Sequence, residues 1–293
     1  MPAAQQVHHP TTQDGANSST LHEMRPLVMG ILNVTPDSFS DGGRYLDFDA
    51  AVAHGMQMVE EGADVVDVGG ESSRPGASQV PEDEEIRRVL PVVAALAGHV
   101  RVSVDTCKRA VAEAAVAAGA TLVNDISATL WPVAAVAGPS VGWVAMHMKG
   151  TPGTMQLSPA YDDVVGEVHR FLMERAALAA EAGVEEIWID PGIGFGKGPD
   201  HNLSLVRHLD VLVGTGFPVL LGVSRKGVVG AIAPEPDGAP APLDQRLEGS
   251  LALGTWGMLA GVAMVRVHDV RATVQAAELI GPARRQEMVR EGA

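Results

Sequence analysis

The sequence predicts a single-domain (β/α)8 barrel, the TIM barrel class of α/β folds, from three observations. Eight short apolar runs recur along the chain, and most of them end on a cluster of polar residues. The runs are rich in Val and Ile without strict polar alternation, which is typical of parallel strands buried on both faces. Several helical patterns between them end in glycine directly before the next run. Because a barrel of this class carries its active site on the loops after the strands, the polar clusters also predict an enzyme.

Each predicted strand is defined by its apolar run and by the polar residues that follow it. In chain order these are 27–32 with Asn33; 63–68 with Glu71, Ser73 and Arg74; 100–104 with Asp105; 121–123 with Asn124 and Asp125; 142–146 with His147; 186–189 with Asp190; 218–223 with Ser224, Arg225 and Lys226; and 262–265 with Arg266, His268 and Asp269. The strand count and the polar ends favour a closed barrel over the alternative, an open doubly wound sheet.

The segments between these strands show the periodicity of helices. The predicted helices span 49–61, 82–96, 107–118, 130–137, 161–182, 201–213, 243–260 and 270–280. Pro91 should kink the second helix, and Pro132 and Pro139 crowd the fourth. Thr106 is placed to cap the third.

Length and composition fit one such barrel. The chain has 293 residues and is 46% hydrophobic, and a barrel of this class needs roughly 250 residues. We expect the barrel to span residues 25–285. The polar residues 1–24 are expected to form a disordered tail rather than a signal peptide, and 286–293 a short C-terminal tail.

Charge and cysteine content exclude several function classes. The formal net charge of −15 argues against a nucleic-acid partner, because such proteins usually present a basic face. No apolar run approaches the ~18 to 20 residues of a membrane span, so no membrane partner is expected. The single cysteine, Cys107, excludes an internal disulfide and favours a reducing, cytoplasmic location.

Three strand ends predict a binding site for a flat heterocycle. Asp105, Asn124 and Asp190 end strands three, four and six, so their side chains should point into one mouth of the barrel. Carboxylate and amide groups there can accept hydrogen bonds from, or donate them to, the edge of a ring. Each residue could instead cap the following helix. The combination of all three with Lys226 favours function.

The glycine-rich segment 190–197 is neither a P-loop nor a dinucleotide-binding motif. The first glycine of a P-loop would fall on Pro191, and Gly198 stands where Ser or Thr is required. We expect its glycines to allow close approach of the backbone to a ligand, with Phe195 offering an aromatic face.

Asn33, Arg266 and His268 predict a polyphosphate site, because the first and last strands are neighbours in a closed barrel. A guanidinium binds phosphate oxygens in a bidentate manner, and Asn33 could orient a Mg²⁺ held mainly by the phosphates. The alternative is a structural ion pair between Arg266 and Asp269.

The long connections 33–47 and 69–81 follow strand ends and are predicted to be active-site lids. A third, 233–244, is interpreted as a surface insertion without chemistry. His147 ends strand five and either lines the pocket or has a structural role.

Eight stretches of the chain together resemble the dihydropteroate synthase family, folate-pathway enzymes targeted by sulfonamides. They are GILNVTPDSFSDGG (30–43), DVGGESSRPG (67–76), VSVDT (102–106), VNDIS (123–127), MHMKGTPGTMQ (146–156), DPGIGFGK (190–197), GVSRK (222–226) and RVHDV (266–270). They run in family order over essentially the whole predicted barrel. The resemblance implies a homodimeric barrel enzyme.

The implied reaction joins 6-hydroxymethyl-7,8-dihydropterin diphosphate to 4-aminobenzoate, giving 7,8-dihydropteroate and pyrophosphate. By resemblance, Asp105, Asn124, Asp190, Phe195 and Lys226 bind the pterin, and Asp105, Asp190 and Lys226 are catalytic. The resemblance also implies that the diphosphate, with Mg²⁺, is bound by Asn33, Ser73, Arg266 and His268. It implies that the aminobenzoate pocket and the lid loops contain Asp37, Phe39, Ser73, Arg74, Pro75 and Gly227.

The residues also suggest a dissociative mechanism, in which Asp105 and Asp190 face a developing cation. Gly227 departs from the family, which often has a serine there. The competing interpretation is a non-catalytic or altered-specificity pterin-binding paralogue. A corrinoid-dependent methyltransferase domain, which shares the pterin pocket, would have no use for the two lids or for the RVHD residues.

Overall fold

Eight parallel strands alternate with helices in the described part of the chain. The computed structural model describes residues 25–35, 44–73, 76–77, 79–157 and 159–281, and for 44–47 the backbone alone. The strands are β1 (Leu27–Asn33), β2 (Val65–Gly69), β3 (Arg101–Asp105), β4 (Leu122–Asp125), β5 (Gly142–Met146), β6 (Ile187–Asp190), β7 (Leu220–Gly222) and β8 (Met264–Val267). All eight predicted strands are therefore present.

The helices follow the strands in the order expected of a barrel. They are α1 (Arg44–Glu60), α2 (Glu82–Leu96), α3 (Arg109–Ala117), α4 (Trp131–Ala137), α5 (Val164–Glu181), α6 (Pro199–Arg207), α7 (Leu209–Val213), α8 (Gly227–Ile232), α9 (Leu247–Leu259) and α10 (Val270–Ile280). None of the described helices is long and apolar enough to cross a membrane.

Strand pairing closes the sheet into a barrel. The strand order is β6-β5-β4-β3-β2-β1-β8-β7, with parallel neighbours throughout. The remaining seam, between β6 and β7, is joined by one parallel bridge between Ile189 and Val219. There the Ile189 amide donates to the Pro218 carbonyl at 3.1 Å. The closed barrel is confirmed, and the open sheet is wrong.

The interior of the barrel has two layers that differ in polarity. The lower layer, here called the apolar floor, is a cluster of buried side chains: Met29, Val65, Leu122, Val144, Trp188, Leu220 and Met264. Two residues further along four of these strands the inward side chain is polar: Asp67, Asn124, Asp190 and Arg266. Because the side-chain period of a strand is two residues, each of these polar groups stands directly above an apolar one.

Below the apolar floor, Arg101 and Glu186 form an ion pair at 2.6 Å, and Trp188 Nε1 donates to Glu186. A larger hydrophobic core lies between the strands and the surrounding helices, and includes Val92, Trp143 and Leu172. The floor and this outer core bury the strands on both faces, as their unalternating Val- and Ile-rich runs predicted.

Several helix boundaries differ from the prediction for local reasons. The helix predicted at 161–182 begins at Val164, because Asp163 caps it by accepting from the Gly166 amide at 3.0 Å. The one predicted at 201–213 is divided into α6 and α7 at His208, whose φ and ψ of −115° and 35° are not helical.

The helix predicted at 243–260 is similarly divided at Arg246, between the 3-10 turn Leu243–Gln245 and α9. The helix α8 was not predicted at all. The fourth predicted helix does form, because Pro132 lies in its first turn, where proline is tolerated.

Thr106 caps more loosely than expected. Its Oγ1 accepts from the Lys108 amide at 3.1 Å, but α3 itself begins only at Arg109. The same hydroxyl donates to Glu85, a buried carboxylate of α2. Thr106 therefore links two helices instead of capping one.

Candidate active site

A cavity of about 890 Å³ opens at the C-terminal ends of the strands, where barrel enzymes place their chemistry. A smaller cavity of about 20 Å³ shares several lining residues with it and extends it toward β4 and β6. The two together are lined by every predicted site residue in the described part of the chain: Asn33, Ser73, Asp105, Asn124, Asp190, Phe195, Lys226, Gly227, Arg266 and His268. The roles predicted for these residues stay predictions, but their convergence on one mouth is observed.

Arg266 is held from two sides by carboxylates. Its Nε donates to Asp67 Oδ2 and its Nη2 to Asp105 Oδ2, both at 2.6 Å. Burial alone would lower the pKa of Arg266, but the charges of Asp67 and Asp105 outweigh it and raise that pKa above its ordinary value. Asp269, the alternative partner considered from the sequence, instead pairs with Arg225, whose Nε lies 3.0 Å from Asp269 Oδ2. The structural pairing of Arg266 with Asp269 is wrong.

Asp67 is a site residue that the sequence prediction missed. It is fully buried, and its Oδ2 accepts from Asn124 Nδ2 at 2.9 Å as well as from Arg266. It therefore orients one residue of the predicted pterin site and one of the predicted diphosphate site. The signal was present in the sequence, because Asp67 is the one polar residue of the strand VVDVG and has the same inward parity as the floor residue Val65.

The two predicted catalytic carboxylates have raised pKa values. Burial raises the pKa of Asp105 to about 7, against the opposing effect of Arg266. Burial also raises the pKa of Asp190, and the charge of Lys226 and the Gly192 amide, which donates to Asp190 Oδ1 at 2.7 Å, act in the opposite direction. Perturbed pKa values in a cleft are typical of active sites.

Lys226 connects the glycine-rich segment to the carboxylates. Its Nζ donates to the Ile193 carbonyl at 2.5 Å and lies 4.6 Å from the centroid of the Phe195 ring. Burial lowers the pKa of Lys226 to about 8, although Asp190 raises it in part. The ammonium thus lies between an aromatic face and a buried carboxylate, as a donor for a bound heterocycle requires.

The predicted diphosphate residues line the wider cavity at the ends of β1 and β8. His268 is positioned by Ser224, whose Oγ lies 3.1 Å from His268 Nδ1 and accepts from the His268 amide at 3.1 Å. Asn33 ends β1 beside β8, which carries Arg266. These groups form the cationic and neutral polar part of the mouth.

The glycines of 190–197 serve the protein's own backbone more than a ligand. A Cβ at Gly192, where φ is +64°, would overlap the carbonyl oxygen of His147. One at Gly196, where φ is +62°, would overlap that of Lys149. Only Gly194 of the three lines the cavity. Close approach to a ligand was therefore the wrong explanation for Gly192 and Gly196.

His147 has the structural role that was one of its two alternatives. Its Nδ1 lies 2.9 Å from Lys197 Nζ, and its ring packs edge-on against Phe171 at 5.0 Å between centroids. Burial and the charge of Lys197 lower the pKa of His147 to about 3, so the imidazole is neutral.

The two predicted lids are described only in part, and the segment 233–244 is described in full. Residues 36–43 of the first predicted lid, with Asp37 and Phe39, lie outside the described residues, as do Arg74 and Pro75 of the second. The segment 233–244 is mostly exposed, but Leu243 lines the cavity, so this segment reaches the edge of the site.

Comparisons with known proteins agree with this geometry. The model of a family described as pterin binding enzyme matches residues 29–268. Dihydropteroate synthase of Escherichia coli K12 is 43% identical over 271 residues, covering 90% of this chain and 94% of that protein. The structure of Xanthomonas albilineans dihydropteroate synthase with 4-aminobenzoic acid has a TM-score of 0.79 and 48% identity, covering 87% of this chain and 92% of its own.

Xanthomonas albilineans dihydropteroate synthase in complex with 7,8-dihydropteroate gives a TM-score of 0.76 at 45% identity, again covering 87% of this chain and 92% of its own. Identity at this level over nearly the full length of the relatives exceeds a likeness of fold. The chain belongs to the pterin-binding enzyme family and, within it, to the dihydropteroate synthases.

Proposed function

We propose that this protein condenses 6-hydroxymethyl-7,8-dihydropterin diphosphate with 4-aminobenzoate to form 7,8-dihydropteroate and pyrophosphate. The observation that carries the proposal is the division of the cavity. Its narrow end is lined by buried carboxylate, amide and ammonium groups, and its wide end adds an imidazole and Asn33. A substrate that entered with its pterin ring first would place the ring at the narrow end and its diphosphate at the wide end.

The pterin belongs at the narrow end. The 2-amino group and ring N–H of a pterin are donors that suit Asp190, and its carbonyl and ring nitrogens are acceptors that suit Lys226 and the Asn124 amide. Phe195 would cover one face of the ring, since aromatic rings stack in offset or edge-on contact. Asp190, Lys226 and Asn124 are each fixed before binding by a hydrogen bond within the protein, which reduces the cost of ordering them.

The diphosphate belongs at the wide end, with Arg266, His268, Asn33 and Ser73. Mg²⁺ suits this end, because it takes few protein ligands and completes its shell with phosphate oxygens and water. The described residues contain no group of three or more His, Cys, Asp or Glu side chains that could hold a metal ion by themselves. Asn33, which lines this end of the cavity, is the protein ligand proposed here. When bound, Mg²⁺ would neutralise charge on the departing pyrophosphate.

The proposed chemistry is dissociative. The C–O bond to the diphosphate breaks, its electron pair leaves with pyrophosphate, and positive charge develops on the pterin methylene. Asp105 and Asp190 provide fixed negative charge near that carbon, and Arg266 and His268 stabilise the leaving group. The amine of 4-aminobenzoate then attacks the methylene carbon, and the proton that its nitrogen loses is taken up by solvent water.

The aminobenzoate site is proposed above the pterin, beside Ser73 and Gly227, both of which line the cavity. Gly227 has no side chain to offer, so its backbone amide is the group available to the carboxylate. The lids proposed to close over this site would keep water from capturing the cation.

Assembly and location are proposals of the same kind. We expect a homodimer, supported by exposed apolar side chains on α9, where Trp256 and Leu259 are 53% and 63% exposed. Sedimentation velocity measures this directly. A cytoplasmic location is supported by the single cysteine.

The function is tested by incubating the purified protein with the pterin diphosphate, 4-aminobenzoate and Mg²⁺ and measuring dihydropteroate. Product should form and should fall when EDTA is added. Lys226→Ala should weaken pterin binding at least about tenfold, because it removes a charged hydrogen-bond donor. Lys149→Ala, which changes an exposed lysine outside the cavity lining, is the matched control.

Two outcomes would change the proposal. Tight pterin binding without any product would indicate the non-catalytic paralogue. A strict requirement for 4-aminobenzoate before any pyrophosphate is released would contradict the dissociative step, because C–O cleavage in that mechanism precedes attack by the amine.

A further inference from the structure

Lys197 is a buried lysine whose ammonium is surrounded by backbone carbonyls. The residue is 2% exposed. Its Nζ donates to the carbonyls of Gly192 at 2.9 Å, Phe195 at 3.0 Å and His147 at 3.1 Å, and lies 2.9 Å from His147 Nδ1. Among the described residues these contacts include no carboxylate. We call this arrangement the Lys197 cage.

The Lys197 cage joins two segments at the carboxyl ends of neighbouring strands. His147 follows β5, and Gly192 and Phe195 belong to the loop after β6. The two glycines of this loop that would overlap the β5 segment if they carried a Cβ are Gly192 and Gly196. The loop therefore lies directly on that segment, and a Cβ at Gly192 would also come within 3.3 Å of the Lys197 ammonium.

The same loop supplies two groups to the pterin end of the cavity. One is the ring of Phe195, and the other is the Ile193 carbonyl that accepts from Lys226. Asn202 adds a second attachment: its Oδ1 accepts from the Gly194 amide at 2.7 Å and its Nδ2 donates to the Lys197 carbonyl at 3.1 Å. Two more exposed attachments complete the set: the Tyr161 hydroxyl donates to the Gly196 carbonyl and Gln156 Nε2 donates to the Gly194 carbonyl, both at 2.8 Å. The positions of Phe195 and Lys226 thus depend on a loop whose two buried side-chain attachments are Lys197 and Asn202.

A buried ammonium is a costly way to hold a loop. Removing the charge from water is strongly unfavourable, and carbonyl dipoles offset only part of that penalty. Burial accordingly lowers the pKa of Lys197 to about 7, against the opposing charge of Asp190. Buried polar groups of this kind are best attested where they fix one arrangement over its alternatives.

We propose that Lys197 is a positioning residue for the pterin site, holding the loop 190–197 against the end of β5 so that Phe195 and Lys226 face the ring. This deepens the proposed function and rests on a pterin being the ligand. Lys197 is among the residues that line the wider cavity, but its ammonium is directed to the carbonyls of His147, Gly192 and Phe195. It therefore acts on the pterin through Phe195 and through the Ile193 carbonyl.

The experiment compares Lys197→Met, Lys197→Arg and the control Arg109→Met, which changes an exposed cation of α3 that pairs with Glu113. Hydrogen exchange followed by mass spectrometry reports on the loop without any need for activity. We expect faster amide exchange across 190–197 in Lys197→Met and protection close to wild type in Arg109→Met. The KM for the pterin diphosphate should rise about ten- to a hundredfold in Lys197→Met, as for a small misplacement of binding groups. The KM for 4-aminobenzoate should change less than about twofold.

Restoring a cation tests whether the charge of Lys197, and not only the volume of its side chain, holds the loop. Lys197→Arg keeps a donor in the cage and should recover part of the exchange protection and of the pterin KM. Lys197→Ala in methylammonium should regain protection that it lacks in sodium chloride at the same ionic strength, because the small cation can occupy the carbonyls.

The outcomes are distinct. Unchanged loop exchange and unchanged pterin KM in Lys197→Met would overturn the proposal, as would equal rises in both KM values. If Lys197→Met does not fold by circular dichroism, Lys197→Gln, which keeps a polar donor, carries the same comparison. A wild-type protein that makes no dihydropteroate would contradict the function alone, because the exchange measurement still decides the role of Lys197.

Discussion

Asp105 and Lys226 line the same cavity with pKa values displaced toward each other. Burial raises the pKa of Asp105 to about 7 and lowers that of Lys226 to about 8. Between these values the site holds an ionised carboxylate and a protonated amine together. The proposed chemistry needs both, because Asp105 faces the developing cation and Lys226 donates to the pterin.

The pH dependence follows from these directions. Below about pH 7 Asp105 takes up a proton, and above about pH 8 Lys226 loses one, so kcat/KM for the pterin diphosphate should fall on both sides. Asp105→Asn should remove the acid limb at much reduced activity, and Lys226→Arg should move the basic limb upward. A profile that stays flat from about pH 6 to about pH 9 would contradict these assignments.

At this scale the sequence predicted residues that end strands and missed those that act from elsewhere. Asp105, Asn124, Asp190 and Arg266 were found because a barrel gathers its strand ends. Asp67 was missed because it lies in the middle of β2, where only strand parity reveals which side chains point inward. Lys197 was passed over because its partners are backbone carbonyls, which leave no residue pattern.

Gly192, in the loop after β6, can be compared with a second glycine of similar backbone conformation, Gly183. Gly192 has a φ of +64° and no room for a side chain, whereas Gly183, at the end of α5, has a φ of +88° and open space where a Cβ would lie, with no contact from the described residues within 4 Å. The two glycines share a left-handed backbone and differ in crowding. Comparing them separates conformational strain from steric overlap.

We expect Gly183→Ala to lower the free energy of unfolding by about 1 to 2 kcal/mol, the cost of a left-handed alanine. Gly192→Ala should lower it by clearly more, because the new Cβ must also displace the His147 carbonyl from the Lys197 cage. Urea denaturation measures both. Equal losses of unfolding free energy in the two variants would show that the segment after β5 can move aside at no cost in stability.

Helix existence was more predictable than helix boundaries. Periodicity found α5, but it did not find the division of two other predicted helices at His208 and Arg246. Arg246 donates from Nε to the Ala241 carbonyl and from Nη1 to the Arg225 carbonyl, and so ties the cavity edge to the end of β7. The Arg225 contact spans 21 residues of sequence, so helical periodicity does not reveal it.

The number of paired positions between neighbouring strands varies around the barrel. β2 pairs with both neighbours at five positions each, while β6 and β7 meet through one bridge. This sparse seam lies beside the loop that carries Phe195. Local opening follows the number of protecting contacts, so the seam should open more readily than the opposite wall.

Hydrogen exchange tests this expectation on the intact protein. Peptides covering Ile187–Asp190 and Leu220–Gly222 should exchange faster than peptides covering Val65–Gly69 and Arg101–Asp105. The latter strands are the internal reference, because their central residues are equally buried and they are paired on both sides. Equal protection around the barrel would mean that packing, and not strand pairing, controls opening at the seam.

The apolar floor has a kinetic consequence. It closes the described barrel at its N-terminal end, so ligands exchange through the mouth formed by the strand ends. A ring seated at the narrow end lies beneath anything held at the wide end. With the pterin placed at the narrow end as proposed, binding would be compulsorily ordered, with the pterin diphosphate first to bind and dihydropteroate last to leave. A competitor of the second substrate would then retain the first one in the enzyme instead of displacing it.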